Sequence, residues 1–268
     1  MQPKILFSDI DGTLLNDDRI LSNATISEFK RIKNTVPIIL ISSRMPSAMV
    51  HLQKMANIEN FPIIAYNGGL ILVNNQVVSS TEITTDVLEE IINYNASAEV
   101  HLSLYNHNDW YVPQMDYWAK REINNTKTQP EVLKNKEVLE LWKNKNKGAH
   151  KIMCMGDVDV INNLYDYLET NFKNQLHLYR SKSTYIEIAP SEISKKTAVE
   201  FLLNTQYSNL SLNNAIAFGD NYNDIEMLKS VGYGVAVANA KKEVIEIAKY
   251  TTLAGNKDGV AQFIKTHI

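Results

Sequence analysis

Short apolar runs alternate with amphipathic helical stretches over residues 1–82, the alternation stops, and it resumes at Pro190. The segments "KILFS", "VPIILIS" and "PIIAYNGG" read as buried strands. Between them lie "SNATISEFKRIKN", with Ile26, Phe29 and Ile32 at helical spacing and Ser22 placed to cap it, and "SAMVHLQKMAN". Strand and helix in strict alternation, with strands that are apolar throughout, specify βαβ units and a parallel sheet covered on both faces. The same grammar returns in "KKTAVEFLLNT", "NAIAFGD", "DIEMLKSV", "GVAVAN", "KKEVIEIAK" and "GVAQFIKTHI". Residues 83–189 follow another pattern. Helical stretches ("DVLEEIINY", "VLKNKEVLELWKN", "VINNLYDYLETNF") sit among extended ones ("VHLSLYNHNDWYV", turning at "NHND", then "HKIMCM", "LHLYR" and "TYIEIA"). That mixture specifies an α+β unit on an antiparallel sheet. The expected fold is α/β: a parallel-sheet core from residues 1–82 and 190–268, split by an inserted α+β domain at 83–189.

Composition removes several function classes. With 44% apolar residues the 268-residue chain can bury a full core, and its net charge of −3 supplies no basic field for nucleic acid or anionic lipid. One cysteine, Cys154, allows no internal disulfide and suits a reducing compartment. The start "MQPKILFSD" is too short in apolar residues for a secretory signal, and no apolar run approaches the roughly 18 residues that span a bilayer. We expect a cytoplasmic protein, a monomer or weak homo-oligomer, with no nucleic-acid or membrane partner.

Polar residues gather at the carboxyl ends of the core strands, where open α/β sheets hold their ligands. Asp9 and Asp11 follow "ILFS", Ser42 and Ser43 follow "IILI", Asn67 and Gly68 follow "IIAY", and "GDNYND" follows "AIAF" with Asp220, Asn221, Asn223 and Asp224. Two carboxylates one residue apart on a strand would point the same way and repel, so a positive partner is expected there. Hard carboxylate oxygens suit Mg²⁺, while hydroxyls, amides and a lysine suit phosphate. A calcium loop starting at Asp9 would need glycine at position 14 and glutamate at 20, where this chain has Leu14 and Ile20.

These residues resemble the haloacid-dehalogenase-like (HAD) superfamily phosphatases, in particular the Cof-type group with a large inserted cap. The family's DxDGT is matched by Asp9, Asp11, Gly12 and Thr13, and its GDxxND by Asp220, Asn223 and Asp224. Its strand-end hydroxyl falls on Ser42, with Ser43 the alternative register, and its lysine on Lys195 in "ISKKTAVEFL", where Lys196 stands in place of a frequent glycine. "YNGG", "VANA" and "NKDGVA" are similar to the family's substrate-edge segments. The resemblance implies a Rossmann-like core with the insert as a mobile lid. It implies a Mg²⁺-dependent hydrolase of phosphoric monoesters, with Asp9 as nucleophile and Asp11 as acid/base. The metal ion would be held by Asp9, the carbonyl of Asp11, Asp220 and Asp224. Ser42 and Lys195 would hold phosphoryl oxygens, with Asn223 and Asn67 near the phosphate or substrate. The substrate would be a small phosphorylated metabolite, a sugar phosphate first, then a phosphorylated cofactor such as pyridoxal phosphate or flavin mononucleotide. A phosphomutase or phosphotransferase of the same superfamily shares every core residue, and a non-catalytic phospho-ligand sensor would keep Asp9 as a binding site.

Other features carry less. Arg44 reads as a helix-start or surface residue. Tyr105, Trp110, Tyr111, Tyr117 and Trp118 read first as packing of the inserted sheet, and Cys154 as a buried, inert thiol. The six histidines show no metal-binding spacing.

Overall fold

The computed structural model describes residues 1–268, apart from the side chain of Ser181. Along the chain come β1 (Ile5–Ser8), α1 (Asn23–Ile32), β2 (Ile38–Ile41), α2 (Ser47–Ala56), β3 (Ile63–Ala65), β4 (Leu70–Val73) and β5 (Gln76–Ser80). There follow α3 (Thr85–Ala98), β6 (His101–Asn106), β7 (Asp109–Val112), α4 (Tyr117–Thr126), β8 (Glu131–Val132), α5 (Asn135–Asn144), β9 (Lys151–Met155), α6 (Val158–Phe172), β10 (Leu176–Lys182) and β11 (Tyr185–Pro190). The chain ends with α7 (Lys195–Gln206), β12 (Ala215–Gly219), α8 (Ile225–Ser230), β13 (Tyr233–Val237), α9 (Lys242–Ile247), β14 (Tyr250–Thr252) and α10 (Gly259–His267). It divides into two compact units, Met1–Val78 with Ser194–Ile268, and Ser79–Ile193.

The first unit is built on a sheet of order β14-β13-β12-β1-β2-β3-β4-β5, parallel from β14 to β3, with β4 antiparallel to β3. Ile5, Phe7, Ile39, Ile41 and Ala217 pack against Ala198, Val199, Leu202 and Leu203 of α7 and Met227 and Leu228 of α8. On the other face Phe218 of β12 meets Phe263 of α10 edge-on, with ring centres 5.6 Å apart. Burial on both faces explains why the central strands β1, β2, β3 and β12 read as apolar runs, whereas β5 and β14 at the two edges are more polar and largely exposed. As expected, the Ser22 hydroxyl caps α1, accepting from the Thr25 amide. Because β1 lies between β12 and β2, the strand order reverses direction at β1, and the carboxyl ends of these three strands share one edge.

The second unit holds a sheet of order β10-β11-β9-β6-β7-β8, antiparallel except for the short β7–β8 pair. Alternate residues Leu102, Leu104, Ile152, Cys154, Ile186 and Ile188 form one core with α3, α5 and α6, where Tyr111 meets Trp142 edge-on at 6.0 Å. By the two-residue period of a strand, His101, Ser103 and Tyr105 lie on the opposite face.

Five elements depart from the sequence reading. The β4–β5 strands, α4 and β14 were not marked, and the helix expected from Val132 starts only at Asn135, after two-residue β8. In α4 only Ala119 and Thr126 are buried, so it carries no apolar stripe to read. It is fixed instead through its cap: Asp116 accepts from the Ala119 amide at 2.9 Å and meets His101 Nδ1 at 2.7 Å.

Candidate active site

The site lies in the first unit, just beyond the strand ends. The β1 strand stops at Ser8, and the Asp9 amide makes the last ladder bond, to the Phe218 carbonyl at 3.0 Å. The two aspartates therefore do not project side by side from a strand, and the expectation of parallel carboxylates is corrected. Gly12 turns the chain with φ +86°, a conformation L side chains rarely adopt, and an added Cβ would stand 2.8 Å from Cγ of Asp220. The missing side chain lets the β1 loop approach Asp220, to which Thr13 Oγ1 donates at 3.1 Å.

Lys195 opens α7 behind the cap residue Ser194, and its side chain is buried. Its Nζ donates to Asp9 Oδ1 at 2.5 Å and to Asp224 Oδ1 at 2.6 Å. Lys196 points elsewhere, pairing with Glu200 one turn on, at 3.1 Å. The other oxygen of Asp224 accepts the amides of Asp220 and Asn221, both at 3.0 Å, and holds the turn that presents Asp220. Gly219 leaves room for this carboxylate, since a Cβ there would lie 2.5 Å from its Cγ. Asp9, Asp220 and Asp224 each offer an oxygen within 4.8 Å of the others, an arrangement that could hold a metal ion.

The electrostatics favour such an ion. Three ionised carboxylates against one ammonium leave two negative charges uncompensated. Asp9 Oδ2 is buried with no hydrogen-bond partner, a costly state for a carboxylate oxygen unless a cation meets it. Burial pushes the Asp9 carboxyl well above the usual range, against the pull of Lys195, and Asp224 and Asp220 push it further. Burial and then Asp224 push Asp220 up to about 6, with Lys195 opposing. Burial opposes the charge on Lys195, but Asp224 and Asp9 outweigh it and hold the lysine above its ordinary value. A divalent cation would reverse the pressure on the carboxylates.

Beside this cluster, Ser42 is buried at the end of β2, and its carbonyl accepts from the Asn67 amide at 2.8 Å. Asn67 has left-handed backbone, φ 56°, and its side-chain oxygen accepts from Asn223 Nδ2 at 3.1 Å. Asn239 reaches across to donate to the Gly12 carbonyl at 2.8 Å while accepting from the Gly255 amide at 2.7 Å.

The sequence profile of the haloacid dehalogenase-like hydrolases matches residues 6–264. The chain is a haloacid dehalogenase-like hydrolase. It is 31% identical over 272 residues to a Haemophilus influenzae protein described as a candidate phosphatase, covering 99% of this chain and 98% of that one. It is 28% identical over 276 residues to the 5-amino-6-(5-phospho-D-ribitylamino)uracil phosphatase YitU of Bacillus subtilis, at 99% and 98% coverage. Among solved structures, a haloacid dehalogenase-like hydrolase of Bacteroides thetaiotaomicron superposes with a TM-score of 0.89 at 23% identity, each chain covered in full. The resemblance read from the motifs, the α/β fold class and the enzyme class, a hydrolase of phosphoric monoesters, agree with these relatives.

The hydrolase brings buried Asp9, Asp224 and Lys195 together with half-buried Asp220, and Ser42, Asn67 and Asn223 are linked as described. Ser43 stands half-buried beside Ser42. The Asp11 carboxylate is not among the clustered acids. It leaves the group and takes Arg44 Nε on Oδ2 at 2.6 Å, Arg44 Nη2 on Oδ1 at 2.7 Å and Arg19 Nη2 on Oδ1 at 3.0 Å. Arg44 is therefore no surface residue: it is 5% exposed. The available signal was a charged residue in the apolar setting "ISSRM", since an arginine lodged between buried Ile41 and Met45 must find an acid. Thr13 lies in the DxDGT match and Asn239 in "VANA", though neither contact was read from them, while Arg19 carried no comparable signal. In the second unit the aromatic group divides. Tyr111 belongs to the helix-side core, Tyr105 stacks on Trp110 at 5.5 Å, and Tyr117 is exposed. Cys154 is buried, and burial pushes its thiol far up, which leaves it unreactive. No helix among the described residues is long and apolar enough to cross a membrane.

Proposed function

We propose that this hydrolase is a Mg²⁺-dependent phosphatase of small phosphorylated metabolites, working in the cytoplasm through an aspartyl-phosphate on Asp9. The observation that carries the reading is the buried Asp9 carboxylate, paired through one oxygen with Lys195 and lacking any partner on the other. Asp9, Asp220 and Asp224, with the Asp11 carbonyl, would hold the cation, which would supply positive charge against the phosphoryl oxygens and keep Asp9 ionised.

In the first step an Asp9 oxygen attacks phosphorus, the bond from phosphorus to the ester oxygen breaks, and the leaving oxygen takes the electron pair and a proton from Asp11. In the second step Asp11, now a carboxylate, takes a proton from water. The water oxygen bonds to phosphorus, the bond to Asp9 breaks, and Asp9 returns as a carboxylate with inorganic phosphate released. Lys195 and the Ser42 hydroxyl would balance the phosphoryl charge through both steps, the main source of rate in such reactions. Ser43, Asn67 and Asn223 line the same strand ends and are assigned to phosphate or substrate contacts. A sugar or sugar-alcohol phosphate is the favoured substrate class, supported by the name of the Bacillus subtilis relative. Pyridoxal phosphate and flavin mononucleotide stand behind it. Selection among substrates is assigned to residues 79–193.

The test is phosphate release from a panel of metabolite monoesters, with and without Mg²⁺, by the wild type and Asp9→Asn. Release that needs Mg²⁺ and is abolished in the variant supports the reading. A folded, Mg²⁺-loaded wild type that releases no phosphate from any monoester refutes it.

A further inference from the structure

Resting on the phosphatase reading, we infer that Arg44 is the positioning residue for proton transfer by Asp11. Asp11 sits in the turn after β1 with a side chain 38% exposed, so burial does not by itself set its direction. A carboxylate that must serve a leaving oxygen and later a water has to keep one orientation through both steps. The Arg44 guanidinium imposes one by gripping both carboxylate oxygens in a two-pronged pair at 2.6 and 2.7 Å.

Arg44 can orient Asp11 because Arg44 is itself fixed. Its Nη1 donates to the Ala48 carbonyl at 3.2 Å, its amide donates to Ser42 Oγ at 3.2 Å, and its carbonyl accepts from the Tyr66 amide at 3.1 Å. All three guanidinium nitrogens thus have protein acceptors, which argues against Arg44 as a phosphoryl ligand. The same residue ties Ser42 to Asp11, so the hydroxyl assigned to phosphate and the group assigned to the proton share one support. Arg19 differs: its side chain is 38% exposed where it meets Oδ1 at 3.0 Å, and a solvated pair of that kind contributes little orientation.

A support that acts only through Asp11 should matter according to how much proton the leaving group needs. An alkyl phosphate needs a proton on its departing oxygen, whereas 4-nitrophenolate leaves as an anion. Hydrolysis of the aspartyl-phosphate needs Asp11 as base in either case. The experiment compares wild type with Arg44→Lys, which keeps charge and stem but not the fork, on 4-nitrophenyl phosphate and on an alkyl phosphate the wild type turns over. Rapid mixing and steady-state rates are both recorded. For the alkyl ester kcat should fall about 10- to 100-fold with KM little changed, a fraction of what full acid–base catalysis supplies. With 4-nitrophenyl phosphate the variant should release a burst of about one nitrophenolate per enzyme near the wild-type rate, followed by slow turnover. In an Asp11→Asn background, Arg44→Lys should add no further loss, because the two residues act as a unit.

Equal slowing of the burst and the steady state with both esters would overturn the inference. So would alkyl-ester turnover at the wild-type rate, a rise in KM with kcat intact, or an added loss on top of Asp11→Asn. Partial unfolding cannot imitate the expected pattern, since it scales both esters alike on one sample. If the wild type releases phosphate from neither ester, it is the phosphatase reading that fails, and the inference falls with it.

Discussion

Replacing Lys195 by Met tests whether the acidic cluster is held together by one buried charge. The ammonium is the cation between Asp9 and Asp224, at 2.5 and 2.6 Å, and its side chain is fully buried. Met keeps the length and the apolar stem but leaves carboxylates facing one another. Removing one side of a buried ion pair costs roughly 3–5 kcal/mol, which lowers Tm by roughly 10 °C or more in a domain of this size. The deficit should depend on pH with a definite sign. Asp9 and Asp220 already carry raised carboxyl pKa values in the fold, and loss of Lys195 raises them further. Groups raised in the folded state stabilise it while protonated, below their unfolded value near ~4, and that contribution is lost as pH rises through the folded value. The variant should thus trail the wild type little near pH 4 to 5 and most at pH 7 and above. Added Mg²⁺ should return more stability to the variant, where it meets one more uncompensated charge. Trp110, Trp118 and Trp142 all lie in the second unit, so urea melts should be followed by far-UV circular dichroism, in EDTA and in Mg²⁺, at both pH values. A variant as stable as wild type at pH 7.5 in EDTA, or a deficit unchanged by acid, would refute the charge accounting.

Gly12→Ala must hold a Cβ at φ +86° against the Asp220 carboxylate, so it should cost about 1–3 kcal/mol and weaken Mg²⁺ binding, measured by calorimetric titration, more than it weakens the fold. His150 is held neutral, pushed down to about 4 chiefly by burial, while accepting from the His107 amide and meeting Ser80 Oγ at 3.1 Å. With an unfolded value near ~6.5, its contribution is present above that pH and lost as pH falls toward 4, at most about 3 kcal/mol at 1.36 kcal/mol per pH unit. His150→Gln should flatten the stability curve between those values, and an unchanged acid limb in denaturant titrations would contradict this.

What was legible in the chain was whatever local order encodes. The central core strands announce themselves because burial on both faces leaves few polar positions, and Ser22 announces α1 because a capping hydroxyl precedes the first turn. Lys195, 186 residues from Asp9, was reached only through the resemblance to the phosphatase motifs, because two adjacent lysines opening a helix read locally as solvated surface. Arg44 lies only 33 residues from Asp11 and was missed, because a lone arginine after two serines has many exposed alternatives and nothing local excludes them. The α4 helix was missed for a related reason: what holds it is a cap contact from Asp116 to His101 rather than an apolar stripe.

The largest departure concerns Asp9 and Asp11 themselves. Read along the chain they are a like-charged pair that one cation should neutralise. In the fold the strand ends first, Gly12 turns the backbone, and the two carboxylates part. One enters a buried setting with an ammonium on a single oxygen, and the other a half-exposed setting with guanidinium groups on both. The first setting leaves an oxygen for a cation and suits a nucleophile, while the second fixes direction and suits repeated proton transfer. Two identical side chains two residues apart have different settings because Lys195 arrives from the start of α7 and Arg44 from the loop after β2. That separation is a property of the tertiary structure, so a motif search finds both aspartates but cannot tell which of them the fold restrains by charge and which by orientation.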